Sequence, residues 1–191
     1  PSSRGNPYPE AAKIIKQQQA AGALIMDYAG HGDPTQISNE SVLKLNDFAD
    51  FRNTNLSLWV TASCDIMPFD GLDANIGEYA LLNDKGGAVA FYGTTVYAQY
   101  NRHINRAFIY RVLSLVNGKP ITIGEAHRLA QNDLVTGTGP TSGSDVKVNH
   151  LHYSLLGDPA LALNLPKYQI VVDSINGIPV AESETLPMLK A

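Results

Sequence analysis

Short apolar runs alternate with helix-forming stretches along the first half of the chain. Residues 10–21 consist mainly of strong helix formers and end at Gly22. Apolar runs of strand length follow at residues 23–28, 56–62 and 88–92, and each of them leads into a loop. Strands that alternate with helices in this way are typical of a parallel sheet with helices packed on it.

The segment between the second and third apolar runs predicts a helix at residues 75–83. It is closed by two consecutive glycines, and its inward positions are expected to be Ile76, Tyr79, Ala80 and Leu82. A strand, a helix and a strand within so short a stretch form a βαβ unit, which requires a right-handed parallel crossover.

Two more helices are predicted further along the chain. Residues 101–116 carry apolar side chains three or four positions apart on one face, namely Ile104, Phe108, Val112 and Leu115. An Asn-Gly turn at residues 117–118 ends this helix. Thr122 followed by Glu125 fits a capping box, which predicts a helix that runs to about residue 135.

The last part of the chain changes in character. After a flexible loop at residues 136–145, another strand is expected around Leu161. Two β-rich runs then flank an Asn-Gly pair at residues 176–177, the strongest short signal for a hairpin. We therefore predict two units. Residues 1–166 form an α/β domain, an open and mostly parallel sheet with flanking helices, and residues 167–191 begin an all-β module.

Composition excludes several classes of function. Charged residues make up 17% of the chain, against about 25% in an average domain, which indicates a tightly folded protein or a surface partly covered by neighbouring domains. The net charge of −4, with no basic run, argues against a nucleic-acid partner. No apolar run is long enough to span a membrane. The single cysteine excludes an intrachain disulfide.

Two reactive side chains occupy equivalent positions after predicted strands. His31 follows the strand at residues 23–28, and Cys64 follows the strand at residues 56–62. Ligands of open α/β sheets bind beyond the carboxyl ends of the strands, so both residues would lie at that edge. If the two strands are neighbours, the imidazole can take the thiol proton and stabilise the thiolate by its charge. The glycines on either side of His31 would let a substrate backbone come close.

The sequence pattern alone also allows purely structural roles for His31 and Cys64. A single cysteine after an apolar strand is more often a small buried hydrophobe than a nucleophile. A histidine between glycines can simply belong to a turn. Ser63 lacks the G-x-S-x-G motif of serine hydrolases. His103 and His127 lie on predicted helices, where we expect surface or interface roles.

Metal sites are the remaining alternatives. His150 and His152 would share one face if the segment around them were extended, but no third ligand lies nearby in the sequence. Carboxylates follow the cysteine at Asp65, Asp70 and Asp73 and could hold a structural calcium ion, although a solvated loop is the simpler interpretation. No cofactor is predicted.

Three stretches of the sequence together resemble the gingipain family of cysteine peptidases, which belongs to the caspase-like clan. They are DYAGHGDP after a strand, LWVTASCD, and NIGEYALLNDKGGAVAFYGTT. The later stretch HLHYSLLGDPALAL resembles those members of the family that act as surface signal peptidases, or sortases, of type IX secretion. The resemblance runs from about Gly22 to Leu165.

The resemblance implies specific roles for individual residues. His31 and Cys64 correspond to the catalytic dyad, and the backbone amides of Gly32 and Cys64 to the oxyanion hole. The substrate pocket would be lined by residues after the third strand, namely Gly93, Thr94, Thr95, Tyr97 and Tyr100. Glu78 matches a family glutamate with a structural role. The β segment after residue 166 would begin an immunoglobulin-like domain.

The resemblance also implies a setting. The expected substrates are secreted cargo proteins with C-terminal signal domains, cleaved at the outer-membrane surface of a bacterium. Other secretion-system components are further candidate partners. A caspase-like domain has further strands upstream, including one with the acid that orients the histidine, so we expect the chain to be truncated at its N-terminal side and its activity to be incomplete. The alternative is a non-catalytic scaffold or binding module with the same fold.

Overall fold

This computed structural model describes residues 8–71, 74–98, 102–137, 149–166, 173–175 and 178–179. The helices are α1 (Pro9–Ala21), α2 (Leu45–Ala49), α3 (Ile76–Leu81), α4 (Arg102–Val112), α5 (Ile123–Thr136) and α6 (Asn149–His152). The longer strands are β1 (Ile25–Ala29), β5 (Ser57–Ala62), β6 (Ala88–Thr94) and β9 (Tyr153–Gly157). The two-residue strands are β2 (Gly32–Asp33), β3 (Gln36–Ile37), β4 (Leu43–Lys44), β7 (Leu115–Val116), β8 (Lys119–Pro120), β10 (Ser174–Ile175) and β11 (Ile178–Pro179).

The four longer strands form one sheet in the order β1-β5-β6-β9. β1, β5 and β6 are mutually parallel, and β9 runs antiparallel to β6 at the edge. Helix α3 connects β5 to β6, so the predicted βαβ unit is confirmed. The predicted fold class, an open and mostly parallel α/β sheet with flanking helices, is also confirmed.

The central strand β5 separates two apolar layers. All six of its residues are buried, as expected for a parallel strand covered on both faces. Leu58 and Val60 pack in the cluster that contains the apolar faces of α4 and α5. Trp59 points the other way, into the cluster that contains residues of α1, α2 and α3. The period-two alternation of β5 thus builds a helix–sheet–helix sandwich.

Helix α1 is attached to the sheet through a buried amide. Gln19 is 1% exposed, and its Oε1 accepts a hydrogen bond of 3.1 Å from Trp59 Nε1. Its Nε2 donates at 2.7 Å to the carbonyl oxygen of Gly87, just before β6. Because both ends of this amide are satisfied inside the protein, α1 is an integral part of the second layer.

Local capping signals place the starts of α3 and α5. Asn75 and Glu78 exchange hydrogen bonds in a capping box, which gives Glu78 a structural role at the start of α3. The Thr122 hydroxyl accepts from the Glu125 amide at the start of α5, which is one half of the predicted capping box, while the Glu125 carboxylate accepts from Arg128. Leu82 was expected to point inward but is 77% exposed, since α3 ends at Leu81 and the next residue leaves its inner face.

The prediction for the end of α4 is wrong. The helix ends at Val112, and Leu115–Val116 instead pairs with Lys119–Pro120 as a small antiparallel hairpin. Asn117 and Gly118 have φ values of 51° and 73°, the left-handed conformations that a tight hairpin turn needs at both central positions. The Asn-Gly pair is therefore a hairpin turn rather than a helix stop, and Leu115 is exposed.

The strand expected around Leu161 is also misplaced. The edge strand is β9 at Tyr153–Gly157, and it ends where Asp158 and Pro159 begin a turn. Around Leu161 there is only an isolated bridge between Thr122 and Ala162. The apolar run after the turn packs against the start of α5 instead of joining the sheet.

The predicted hairpin near the C-terminus is confirmed, since Ser174–Ile175 pairs antiparallel with Ile178–Pro179. The loop predicted at residues 136–145 lies for the most part outside the described residues. Most of the stretch from residue 167 onward also lies outside them. The domain boundary and the immunoglobulin-like module therefore stay predictions. None of the described helices has the length and apolar character that crossing a membrane requires.

Candidate active site at the carboxyl edge of the sheet

The two predicted catalytic residues leave the sheet at the same point. Ala29 and Ala62 form the last pair of the parallel ladder between β1 and β5. His31 and Cys64 are each two residues beyond this pair. The backbone N–H of Gly30 donates to the carbonyl oxygen of Ala62 at 3.1 Å, which continues the contact past the ladder. The hypothesis drawn from the sequence required the two strands to be neighbours, and this condition is met.

The loop that carries His31 is held in shape by a three-stranded sheet of two-residue strands, β2, β3 and β4. The Asp33 carboxylate accepts hydrogen bonds from the Thr35 amide and hydroxyl and from the Gln36 amide, which closes the turn between β2 and β3. Sequence reasoning predicted only a loop here, because strands this short carry no periodicity. His31 itself is exposed.

The carbonyl oxygen of His31 has two hydrogen-bond donors. Tyr28 Oη donates at 2.6 Å, and the backbone N–H of Ser38 donates at 2.7 Å. Burial raises the pKa of the Tyr28 phenol, the backbone amide of Ser38 opposes the rise, and the charge of Glu40 adds to it. Tyr28 is therefore a protonated donor at neutral pH.

Cys64 is a half-buried free thiol at the start of the next loop. Its Sγ donates to the carbonyl oxygen of Ala98 at 3.1 Å. Asp65, the following residue, has φ 47°, in the left-handed region that non-glycine residues rarely occupy. Strained backbone of this kind often occurs at functional sites. The Asp65 amide is held by the carbonyl oxygen of Val96 at 3.1 Å.

Gly32 brings the two loops into contact. A Cβ at this position would overlap Ser63 Oγ and would lie 2.9 Å from Ile66 Cδ1. The absence of a side chain at Gly32 thus allows the loop after β1 to pack directly against the residue that precedes Cys64. This close approach places the Gly32 backbone beside the start of the cysteine loop.

The residues predicted for the substrate pocket differ in their exposure to solvent. Gly93 and Thr94 are buried in β6, where the Thr94 hydroxyl donates to the carbonyl oxygen of Ser63 at 2.7 Å. Thr95 binds the carbonyl oxygen of His152 through its amide at 2.8 Å. Tyr97 is 65% exposed beside the cysteine loop. Tyr100 lies outside the described residues, and the pocket as a whole stays a prediction.

Negative charge surrounds the loop after Cys64. Burial raises the pKa of the Asp65 carboxyl, and the charges of Asp70 and Asp33 raise it further. Asp33 belongs to the loop after His31, so carboxylates from both loops act on the same region. Asp73, the third carboxylate of the calcium hypothesis, lies outside the described residues.

The histidine pair considered for a metal is not arranged as expected. His150 and His152 lie on the short helix α6 rather than on an extended segment, so they do not share a strand face. Within the described ranges, no group of three His, Cys, Asp or Glu side chains could hold a metal ion. His127, expected at the surface or at an interface, is half-buried with its ring 5.5 Å from that of Tyr92. Burial lowers the pKa of its imidazole.

Sequence reasoning missed three groups that shape the site. They are the phenol of Tyr28, the amide of Ser38 and the carbonyl of Ala98. Tyr28 precedes His31 by three residues at the end of a strand, and this spacing could have been noticed. The other two act through the backbone, which leaves no signal in side-chain identity.

Comparison with known proteins identifies the family. A family model described as peptidase family C25 matches residues 1–164. No curated protein matches the chain. The structure is similar to the complex of the pro- and mature domains of Porphyromonas gingivalis RgpB, with a TM-score of 0.66 at 15% identity, over 80% of this chain and 37% of that one.

A second solved structure, the Arg-specific cysteine proteinase gingipain R (RgpB), gives a TM-score of 0.65 at 17% identity and covers 83% of this chain and 37% of that one. Identities this low show the fold alone, and the chain spans only 37% of the length of either solved chain. The family match covers most of the sequence, from residue 1 to residue 164. The chain therefore belongs to peptidase family C25, and its fold is that of the gingipain cysteine peptidases.

Proposed function

We propose that the chain carries the nucleophile and the general base of a cysteine endopeptidase, Cys64 and His31. The observation that supports this most is their equivalent placement, each two residues past the last pair of neighbouring parallel strands. Membership of a cysteine peptidase family supports the same assignment. The proposal also includes an oxyanion hole formed by the backbone amides of Gly32 and Cys64. These residues lie on the two loops that come into contact at Gly32 and Ser63.

The proposed reaction follows the chemistry of acyl transfer. His31 removes the Cys64 thiol proton, and the sulfur bonds to the scissile carbonyl carbon while the oxygen gains the negative charge. When the C–N bond breaks, His31 returns the proton to the leaving amine. Water or an acceptor amine then attacks the acyl-enzyme and releases Cys64. An amine acceptor would make the same site a transpeptidase.

The proposed substrates are cargo proteins of type IX secretion, cleaved at their C-terminal signals at the surface of a bacterium. This is the role of PorU-type members of the family, and the stretch HLHYSLLGDPALAL supports it by resemblance. In the structure, that stretch supplies most of α6 and all of β9, and its His152 carbonyl accepts from the Thr95 amide next to the cysteine loop. A backbone hydrogen bond therefore connects the stretch that carries this resemblance to the chain beside the candidate site.

The test uses the complete gene product with a purified cargo protein. We expect Cys64→Ala and His31→Ala each to abolish removal of the C-terminal signal, while Cys64→Ser retains at most traces. Mass spectrometry of the released cargo identifies the cleaved bond and any added amine. Normal processing by the Cys64→Ala variant would exclude the peptidase role.

The hydrogen bond from Cys64 Sγ to the Ala98 carbonyl favours a second candidate, a binding module that retains the fold with an unreactive thiol. A thiol that donates to a carbonyl is protonated, and a protonated thiol is a poor nucleophile. Iodoacetamide distinguishes the two. An activated Cys64 is alkylated well below pH 8, whereas a buried, unreactive thiol is not.

A further inference from the structure

The peptide unit between His31 and Gly32 is fixed at its carbonyl oxygen. That oxygen accepts from Tyr28 Oη at 2.6 Å and from the Ser38 amide at 2.7 Å. A carbonyl oxygen has two lone pairs, so both are used. One donor comes from the strand before His31 and the other from the hairpin after it, so the oxygen is held from two directions.

Fixing this carbonyl also fixes the N–H of Gly32. The peptide bond is planar and trans, so its oxygen and its N–H point in opposite directions. The bond from the Ser38 amide to His31 sets the register of the hairpin, in which Gly32 pairs with Ile37. Bonded and non-bonded pairs alternate in an antiparallel ladder, so Gly32 and Ile37 form a non-hydrogen-bonded pair. The Gly32 N–H therefore points away from β3.

We propose that Tyr28 is a positioning residue for the oxyanion hole, whose phenol aims the Gly32 N–H by fixing the His31–Gly32 peptide unit. The proposal rests on the proposed peptidase function for the role of that N–H. Hydrogen bonds accepted by the carbonyl also polarise the peptide unit and strengthen its N–H as a donor. Tyr28 thus affects both the orientation of the Gly32 N–H and its strength as a hydrogen-bond donor.

The residue between Tyr28 and His31 is adapted to this contact. A Cβ on Gly30 would lie 2.5 Å from Tyr28 Oη and 2.9 Å from its Cζ. Glycine therefore leaves the space in which the phenol folds back under the loop to reach the His31 carbonyl. Gly30→Ala keeps the hydroxyl but displaces it, which provides a second variant that tests the same contact independently.

The experiment compares Tyr28→Phe with wild type in the complete gene product. Phenylalanine removes only the hydroxyl, so we expect kcat for cargo cleavage to fall about tenfold with KM unchanged, the sign of an interaction made in the transition state. A peptide aldehyde, which forms a thiohemiacetal with an oxygen in the oxyanion position, should bind about tenfold more weakly. A non-covalent peptide of the same sequence should bind equally well.

Two readouts separate positioning from a general structural effect. Alkylation by iodoacetamide forms no oxyanion, so its rate and pH profile should be the same in Tyr28→Phe and wild type. Tyr110→Phe, a change on the exposed part of α4, should leave every readout unchanged. An unchanged kcat, or a parallel loss of alkylation and cleavage in Tyr28→Phe, would overturn the proposal.

A third readout does not depend on activity. Amide hydrogen exchange at Ser38, whose N–H donates to the His31 carbonyl oxygen, should accelerate about tenfold in Tyr28→Phe and in Gly30→Ala, because that carbonyl is no longer held from both sides. Unchanged exchange in both variants would overturn the proposal whether or not the protein cleaves cargo. Faster exchange in a protein whose wild type cleaves nothing would contradict the peptidase function and leave the positioning contact established.

Discussion

The hydroxyl of Thr94 donates a hydrogen bond of 2.7 Å to the carbonyl oxygen of Ser63, the residue before Cys64. Thr94 is the last residue of β6, and its own carbonyl oxygen accepts from the Met67 amide at 3.0 Å. The end of β6 therefore holds the chain on both sides of the cysteine. Thr94 and Ser63 are both buried, so water does not replace this contact.

Thr94→Val should weaken both stability and activity. Valine has the same shape but no donor, so the buried Ser63 carbonyl loses this partner at a cost of about 1–3 kcal/mol. The cysteine loop would shift, and misplacement by about 1 Å can reduce turnover about a hundredfold. Urea unfolding and cargo cleavage measure the two effects. Thr54→Val, at an exposed threonine, is the matched control, and equal effects of both changes would contradict the role of Thr94.

Gly32→Ala should strongly reduce activity because its Cβ overlaps Ser63 Oγ. We expect a loss of about tenfold or more in kcat/KM, since the two loops must move apart. Combining it with Ser63→Ala removes the overlapping hydroxyl, so the double variant should recover part of the activity. Measuring kcat/KM for wild type, the two single variants and the double variant gives the coupling energy between Gly32 and Ser63. Purely additive losses would show that the two loops do not meet at these residues.

Arg111→Met should destabilise the interface of α4 and α5. Arg111 binds both oxygens of the Asp133 carboxylate, at 2.8 and 2.7 Å, and Asp133 is 8% exposed. Removing the guanidinium leaves a buried charge, at a cost of about 3 kcal/mol. Arg128→Met removes the exposed pair with Glu125 and should cost much less stability, because solvent screens that pair. Thermal or urea unfolding checks the difference, and similar losses would contradict it.

His127 should make the protein less stable in acid. Burial holds the pKa of its imidazole below the ordinary value of 6.5, so between these two pKa values the unfolded state binds more protons than the folded state. The free energy of unfolding therefore falls as the pH drops through this window, and the loss levels off once the pH is below the folded pKa. His127→Gln cannot be protonated, so the difference in stability between the variant and wild type should change across the same window. Urea unfolding at several pH values measures this, and parallel curves would contradict it.

The sequence predicted the elements whose signals are local. The helix formers of α1, the apolar run of β5 and the cap formed by Thr122 and Glu125 each act within a few residues, and each appears where it was expected. The Asn-Gly pair after α4 was detected but misinterpreted. A turn and a helix stop use the same residues, and only the pairing of Leu115–Val116 with Lys119–Pro120 distinguishes them.

For the candidate site, the sequence by itself determined which side chains can do the chemistry and that each follows a strand. It did not determine that β1 and β5 are adjacent, that Gly32 packs against Ser63, or that Tyr28 and Ser38 share the His31 carbonyl. Strand order depends on how whole layers bury their apolar faces, a property of the folded chain rather than of any short segment. Backbone contacts likewise leave no mark on side-chain identity. Only the tertiary structure, therefore, shows how the two loops are joined.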